Sequence, residues 1–322
     1  MIDLDDIKTA AERLKPIIVR TPLISSPALD EMVRGRVFLK AENLQRTGSF
    51  KIRGAYNMLS QLAPDQAARG VIAFSSGNHA QAVAAAGTML GIETTIVMPE
   101  DAPQIKIENT RKLGGTTVLY DRYTGDRETI AREMAAERGC VVVPSYDHEH
   151  IIIGQGTAGL EIVEQCKEAG VTPDQVFINC SGGGLTAGCA VAISSQLPAT
   201  TIHPVEPEAY DDTCRSLVSG QREQADVSAK SICDALQVAT PGKITFAINK
   251  DLLGDGVRVS DGEVRDAIRF AFLNLKLVVE PGGAASLAAV LSGKVATRDK
   301  VTVVMMSGGN VDAALFASIQ SS

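Results

Sequence analysis

Lys51 sits in Gly48-Ser49-Phe50-Lys51-Ile52-Arg53-Gly54-Ala55, among apolar and small residues, and helix-like sequence follows through Tyr56, Met58, Leu59 and Leu62. An amine in such a setting loses its charge more readily than an exposed one. Desolvation disfavours the ammonium form, and Arg53 adds positive charge nearby. A neutral amine is what a Schiff-base lysine must supply. Taken alone, Lys51 still reads as a surface lysine at a helix start. Three further segments shift that weighing. Val71-Ile72-Ala73-Phe74 runs into Ser75-Ser76-Gly77-Asn78-His79, Val176-Phe177-Ile178-Asn179-Cys180 into Ser181-Gly182-Gly183-Gly184-Leu185, and residues 301–306 into Ser307-Gly308-Gly309-Asn310. Each is a short apolar run, as expected of a buried parallel strand, that stops at a Ser/Gly turn. After the first two turns, helix-like sequence follows at once, over 80–90 and 186–195. Strand, glycine turn and helix N-terminus make an anion cradle: N–H groups point outward, the helix dipole favours negative charge, and glycine admits a phosphate to the backbone. One such turn is an ordinary strand-to-helix loop. Three of them beside an activatable lysine require a common ligand.

The elements that must position these groups alternate along the chain. Residues 7–18 read as an amphipathic opening helix, 37–40 as a strand, and 71–144 as alternating strands (94–98, 116–120, 140–143) and helices (103–113, 124–138). That pattern is a parallel α/β unit, and a second alternating series follows from residue 156. At 322 residues the chain can bury a large core in one domain or two. A net charge of −7 with no Lys/Arg-rich run argues against a nucleic-acid partner. No stretch is apolar enough for a membrane span, and the acidic start at Asp3, Asp5 and Asp6 lacks a signal-peptide core. The six cysteines are scattered with no C-x-x-C pair and read as buried free thiols of a cytoplasmic protein.

In order along roughly residues 11–312, the lysine segment, Ser75–His79, Gly154-Gln155-Gly156-Thr157, Ser181–Leu185, Glu280-Pro281 and Ser307–Asn310 resemble a known family. It is the pyridoxal-phosphate enzymes of the tryptophan synthase β-like fold (fold type II), in their threonine/serine dehydratase and serine racemase branch. The resemblance implies an α/β fold of two parallel-sheet, three-layer domains. A smaller domain (62–145) would be inserted in a larger cofactor-binding one (1–61 and 146–322). It implies that Lys51 holds pyridoxal phosphate and, once freed, moves the substrate Cα proton. Gly182, Gly183, Gly184 and Leu185 would bind the phosphate, Phe50 would stack on the ring, Asn78 would bond the ring hydroxyl, and Ser307 would face the pyridine nitrogen. A serine there makes the ring a weaker electron sink than an aspartate would, which favours loss of a β-leaving group over transamination. Ser75, Ser76, Gly77, Asn78 and His79 would grip the substrate, and His79 would orient the turn. The activity implied is conversion of a β-hydroxy amino acid, L-threonine or L-serine first, to a 2-oxo acid and ammonia. Ser76 also permits racemisation. Other candidate substrates are 3-hydroxyaspartate and phenylserine, and a binding protein without turnover is the non-enzyme alternative. A homodimer is usual in the family. The loop opens with Ser181 where most relatives carry a fourth glycine, and the short stretch after Asn310 leaves no room for the regulatory domain of some biosynthetic threonine dehydratases.

Four other features carry competing readings. Gly154–Gly159 spells G-x-G-x-x-G after an apolar run, but the next strand ends in Cys180-Ser181-Gly182 without the acid a dinucleotide site needs. Its glycines are therefore expected to serve close packing near the cofactor. His148 and His150 have a spacing poor for zinc and read as a solvated loop. Glu206, Glu208, Asp211 and Asp212 fall within seven residues, either as helix N-terminal acids or as hard-cation ligands. Racemase relatives imply Mg²⁺ or Ca²⁺ at Glu206, the Tyr210 carbonyl and Asp212. Arg127 matches an arginine on the substrate side of serine racemases, though as a residue it reads first as a helix salt-bridge partner.

Overall fold

The computed structural model describes residues 2–102, 104–121 and 123–321. Among them, ten strands form two sheets. The larger contains β1 (Leu23–Ser25), β2 (Arg36–Lys40), β7 (Gln175–Asn179), β8 (Thr201–Pro207), β9 (Val257–Val259) and β10 (Val301–Met305), in the order β1-β2-β10-β7-β8-β9. All its pairs are parallel except β1 with β2. The smaller sheet, β5-β4-β3-β6, is wholly parallel and holds β3 (Val71–Phe74), β4 (Thr94–Pro99), β5 (Thr116–Tyr120) and β6 (Val141–Val142). Its strands all fall between β2 and β7 in the chain, so the smaller unit is an insertion in the larger.

Both faces of the larger sheet are covered, which is why its strands read as continuous apolar runs. Val37, Leu39, Phe177 and Val304 enter one core, and Phe38, Val176, Ile178 and Val303 the other. The smaller sheet divides likewise, with Val71, Ala73 and Ile96 on one side and Ile72 and Val97 on the other. The helix bearing Lys51 (Lys51–Leu59) precedes the smaller sheet, yet its Ile52, Ala55, Met58 and Leu59 belong to that sheet's core together with Ile151. The chain boundary expected near residue 61 separates the sheets but not the packing.

Several boundaries differ from expectation for local reasons. The opening helix is Leu4–Leu14, because Asp3 and Asp6 form a capping box at its start and Pro16, lacking an N–H, follows its last turn. The helix expected over 124–138 begins at Arg127, since Asp126 accepts the Thr129 N–H at 2.8 Å. The one expected over 103–113 is Gln104–Lys112, and Pro103 lies outside the described residues. The G-x-G-x-x-G run is not a strand-to-helix turn: it lies inside the helix Glu149–Glu168. A Cβ at Gly154 would sit 2.5 Å from the Arg53 carbonyl oxygen, and one at Gly156 2.8 Å from that of Gly188. These glycines let three helices touch backbone to backbone. His148 is that helix's cap rather than part of a solvated loop, its Nδ1 accepting the His150 N–H at 3.1 Å. No helix among the described residues is long and apolar enough to cross a membrane.

Candidate active site

The two sheets meet at a cavity of about 750 Å³ lined by Phe50, Lys51, Asn78, Gly182–Leu185, Glu280 and Ser307. All three glycine turns therefore open on one space. Backbone bonds stitch the lysine segment to the last turn: Phe50 N–H donates to Ser307 O (3.1 Å) and Gly309 N–H to Gly48 O (2.8 Å). Thr47 and Gly48 take left-handed conformations there (φ 63° and 72°), and a Cβ at Gly48 would collide with the Asn310 amide at 2.4 Å.

Lys51 donates to the Ser145 carbonyl at 2.8 Å, and its Nζ lies 5.2 Å from the Phe50 ring centre. Burial pushes its pKa down to about 8, against the opposing charge of Glu280. Glu280 itself is pushed up to about 8, by burial and then by Asp234, although Asn78 Nδ2 donates to it at 2.5 Å. Asn310 Nδ2 donates to Asn78 Oδ1 and to Thr47 O, both at 2.7 Å. That fixes the Asn78 amide with its nitrogen toward Glu280. His79 is buried, with Nε2 2.9 Å from Val143 O, and burial reinforced by Lys51 lowers its pKa to about 3. It is a neutral tie between its helix and the end of β6.

The triple-glycine loop has the form of a phosphate cradle. A Cβ at Gly182 would strike the Tyr146 ring at 2.4 Å, and Gly183 has φ 90°. Carbonyl oxygens are turned into the protein: Gly182 O accepts from Thr245 Oγ1 (2.6 Å) and Gly183 O from Thr186 Oγ1 (2.8 Å). The first N–H groups of the helix Gly184–Ser194 lack intrahelical partners and remain for an anion. Ser181 Oγ is buried there without a partner, so the serine replacing the usual glycine adds a hydroxyl beside the cradle. Ser307 Oγ lies 2.9 Å from Asn179 Nδ2, whose two hydrogens also face the carbonyls of Gly283 (2.9 Å) and Met305 (3.0 Å). The unpartnered hydroxyl and amide atoms, the cradle and the enclosed amine fit pyridoxal phosphate.

Other sequence candidates are dispersed. Ser75, Gly77, Asn78 and His79 line the cavity, whereas Ser76, in the same turn, does not. Arg127 is exposed at the mouth, and no ion pair engages it among the described residues. Glu206 and Asp212 lie behind the phosphate loop. Glu206 accepts the N–H groups of Thr213 (3.1 Å) and Cys214 (2.7 Å), while Asp212 Oδ2 is buried with no partner. Burial and then mutual repulsion raise the Glu206 pKa, and burial raises that of Asp212. Two buried acids, one with an unpartnered oxygen, have the chemistry of hard-cation ligands, while Arg215 and Arg258 beside them pair with Asp211. No group of three or more His, Cys, Asp or Glu side chains suited to a metal occurs among the described residues. Tyr146 and Asn179 were not foreseen as site groups, and Gln155, Glu280 and Asn310 were marked only as family residues without a role. A polar residue at the end of a buried strand, as Asn179 is, was the available signal for one of them.

The family model for pyridoxal-phosphate dependent enzymes matches residues 14–308. An L-threo-3-hydroxyaspartate ammonia-lyase from Pseudomonas sp is 43% identical over 314 residues, covering 98% of this chain and 97% of that protein. A serine racemase from Schizosaccharomyces pombe is 41% identical over 98% of this chain and 97% of its own. The structure of maize serine racemase superposes with a TM-score of 0.92 at 37% identity, covering 99% of this chain and 97% of that one. The chain belongs to the fold-type II pyridoxal-phosphate enzymes, in the group that holds the threonine dehydratases, serine racemases and hydroxyaspartate ammonia-lyases.

Proposed function

We propose that this enzyme eliminates water from a β-hydroxy amino acid, L-threonine or L-serine first, and that hydrolysis of the resulting imine takes up a water and releases ammonia and a 2-oxo acid. The observation that carries this reading is Ser307, a neutral hydroxyl on the cavity wall beside Asn179, at the position assigned to the partner of the ring nitrogen. Pyridoxal phosphate, when bound, supplies the electron sink for carbanion chemistry at Cα. Lys51 carries the cofactor and its freed amine takes the Cα proton, a role suited to a pKa of about 8. Gly182, Gly183, Gly184 and Leu185 hold the phosphate, Phe50 covers one ring face, and Asn78 offers its second Nδ2 hydrogen to the ring hydroxyl. The cavity-lining residues of the Ser75–His79 turn take the substrate carboxylate. Glu206, the Tyr210 carbonyl and Asp212 hold Mg²⁺ or Ca²⁺, which steadies the loop from behind. A homodimer completes the reading, supported by exposed Leu44 and Val278 beside the Asn43–Val278 hydrogen bond.

A second substrate reading, 3-hydroxyaspartate, is favoured by the exposed Arg127 at the mouth and by the relative with that activity. The deciding experiment supplies L-threonine, L-serine and L-threo-3-hydroxyaspartate and measures 2-oxo acid and ammonia. Borohydride-trapped cofactor is mapped in parallel. Turnover of a β-hydroxy amino acid with label on Lys51 is expected. Label on another lysine, or no 2-oxo acid from any of the three, defeats the proposal.

A further inference from the structure

Gln155 is 1% exposed in the middle of the helix Glu149–Glu168, lines the cavity, and has an Oε1 with no hydrogen-bond partner. It lies between the two elements that hold opposite ends of the cofactor. A Cβ at Gly54, on the Lys51 helix, would be 3.1 Å from its Nε2, and a Cβ at Gly184, in the phosphate cradle, 2.9 Å from its Oε1. The flanking glycines cause this placement, since Gly154 brings the long helix against the lysine helix and Gly156 against Gly188. A buried amide oxygen without a donor is destabilising. Beside a cradle of N–H groups it also faces the anion that the cradle is shaped for. Turning the amide by half a revolution exchanges oxygen and nitrogen without moving another atom. The –NH₂ then meets the anion.

We propose that the Gln155 side-chain amide is a further donor to the phosphate group of the cofactor, completing the cradle beside Gly184. The inference rests on the assignment of Gly182–Leu185 to that phosphate. Cofactor-free wild type, Gln155→Met and Gln155→Glu are titrated with pyridoxal phosphate and with pyridoxal, which lacks the phosphate. Wild type is expected to prefer the phosphorylated ligand. Gln155→Met should weaken pyridoxal phosphate binding by about 10- to 100-fold, as for loss of one hydrogen bond to a charged group, and leave pyridoxal unchanged. Gln155→Glu should bind it more weakly still, because a carboxylate opposes the phosphate. Equal losses for both ligands, or none, overturn the proposal and leave Gln155 as a packing group. A wild type with no preference between the ligands removes the phosphate-loop assignment itself. One further measurement needs no variant: the Gln155 side-chain NH₂ resonance should shift on adding pyridoxal phosphate but not pyridoxal. An unmoved resonance overturns the proposal even if the variants fail to fold.

Discussion

Below the lysine helix lies a buried ionic knot, and above it the cavity, and each contains a lysine and a glutamate withdrawn from water. In the knot, Lys40 Nζ commits its hydrogens to Glu161 (2.5 Å), Thr21 O (2.7 Å) and Gln165 (3.0 Å). Arg53 meets Glu42 through two hydrogen bonds of 2.8 Å and Glu161 through bonds of 2.8 and 2.9 Å. In the cavity, Lys51 has one carbonyl partner and Glu280 one amide partner. The consequence shows in the two glutamates. Burial works to raise both, but Arg53 outweighs it at Glu42, which stays below the usual carboxylate range, whereas Glu280 rises to about 8. Burial lowers both lysines, but only Lys51 retains hydrogens not committed to the protein. Enclosure alone does not make a reactive amine. Enclosure with partners left out does.

Disrupting the knot should have the largest effect. Arg53→Met leaves Glu42 and Glu161 with Lys40 alone, and loss of one partner from a buried ionic cluster costs about 3–5 kcal/mol. Urea unfolding measures this, and a loss below about 1 kcal/mol would mean that hydrogen bonds other than the guanidinium's hold Glu42 and Glu161. Next in size is Glu206–Asp212, an acid pair beside which Arg215 and Arg258 make their ion pairs with Asp211 instead. Mg²⁺ or Ca²⁺ at a hundredfold excess over Kd should stabilise the protein by about 2.7 kcal/mol. Asp212→Asn should remove that response in thermal melts. Equal shifts in both proteins would place the ion elsewhere.

The third and smallest effect isolates the contrast between the lysines. In cofactor-free protein an amine-selective reagent should modify Lys51 with a midpoint near pH 8, not the usual 10.5. Lys40 should stay unmodified until unfolding. Peptide mapping across a pH series checks both, and a Lys51 midpoint near 10.5 would refute its desolvation. The sign for stability follows. Between pH 8 and 10.5 the folded protein binds fewer protons at Lys51 than the unfolded chain does, so this residue's contribution to stability grows with pH across that window.

The turns were legible because each is a contiguous strand–glycine word, followed at once by a helix in two of the three, and half of the family markers lie on those words. The network that arms them was not. Asn78, Glu280 and Asn310 converge from positions far apart in the chain, and no local pattern joins them. The knot was hidden for a different reason. Lys40 and Glu42 flank the end of an apolar strand, where charge reads as a solvated edge, and only tertiary contact with Glu161 makes them interior. The G-x-G-x-x-G run was read correctly as close packing, because the strand after it lacks the acid of a dinucleotide site, but its place inside a helix was not, since a helix buried on nearly every side shows little amphipathic contrast.

The position of β2 in the larger sheet bears on how the protein is made. β2 is paired on one edge with β1 and on the other with β10. Those two neighbours differ greatly in when a ribosome delivers them: β10 arrives roughly 260 residues after β2, on the order of 10–50 s at ordinary elongation rates. The smaller sheet needs no such wait, since residues 71–142 supply all of its strands. A nascent chain can therefore complete the inserted unit while Lys51 still stands beside an open sheet edge. If Ser307 holds the cofactor as proposed, its capture becomes an event of the last seconds of translation or of release.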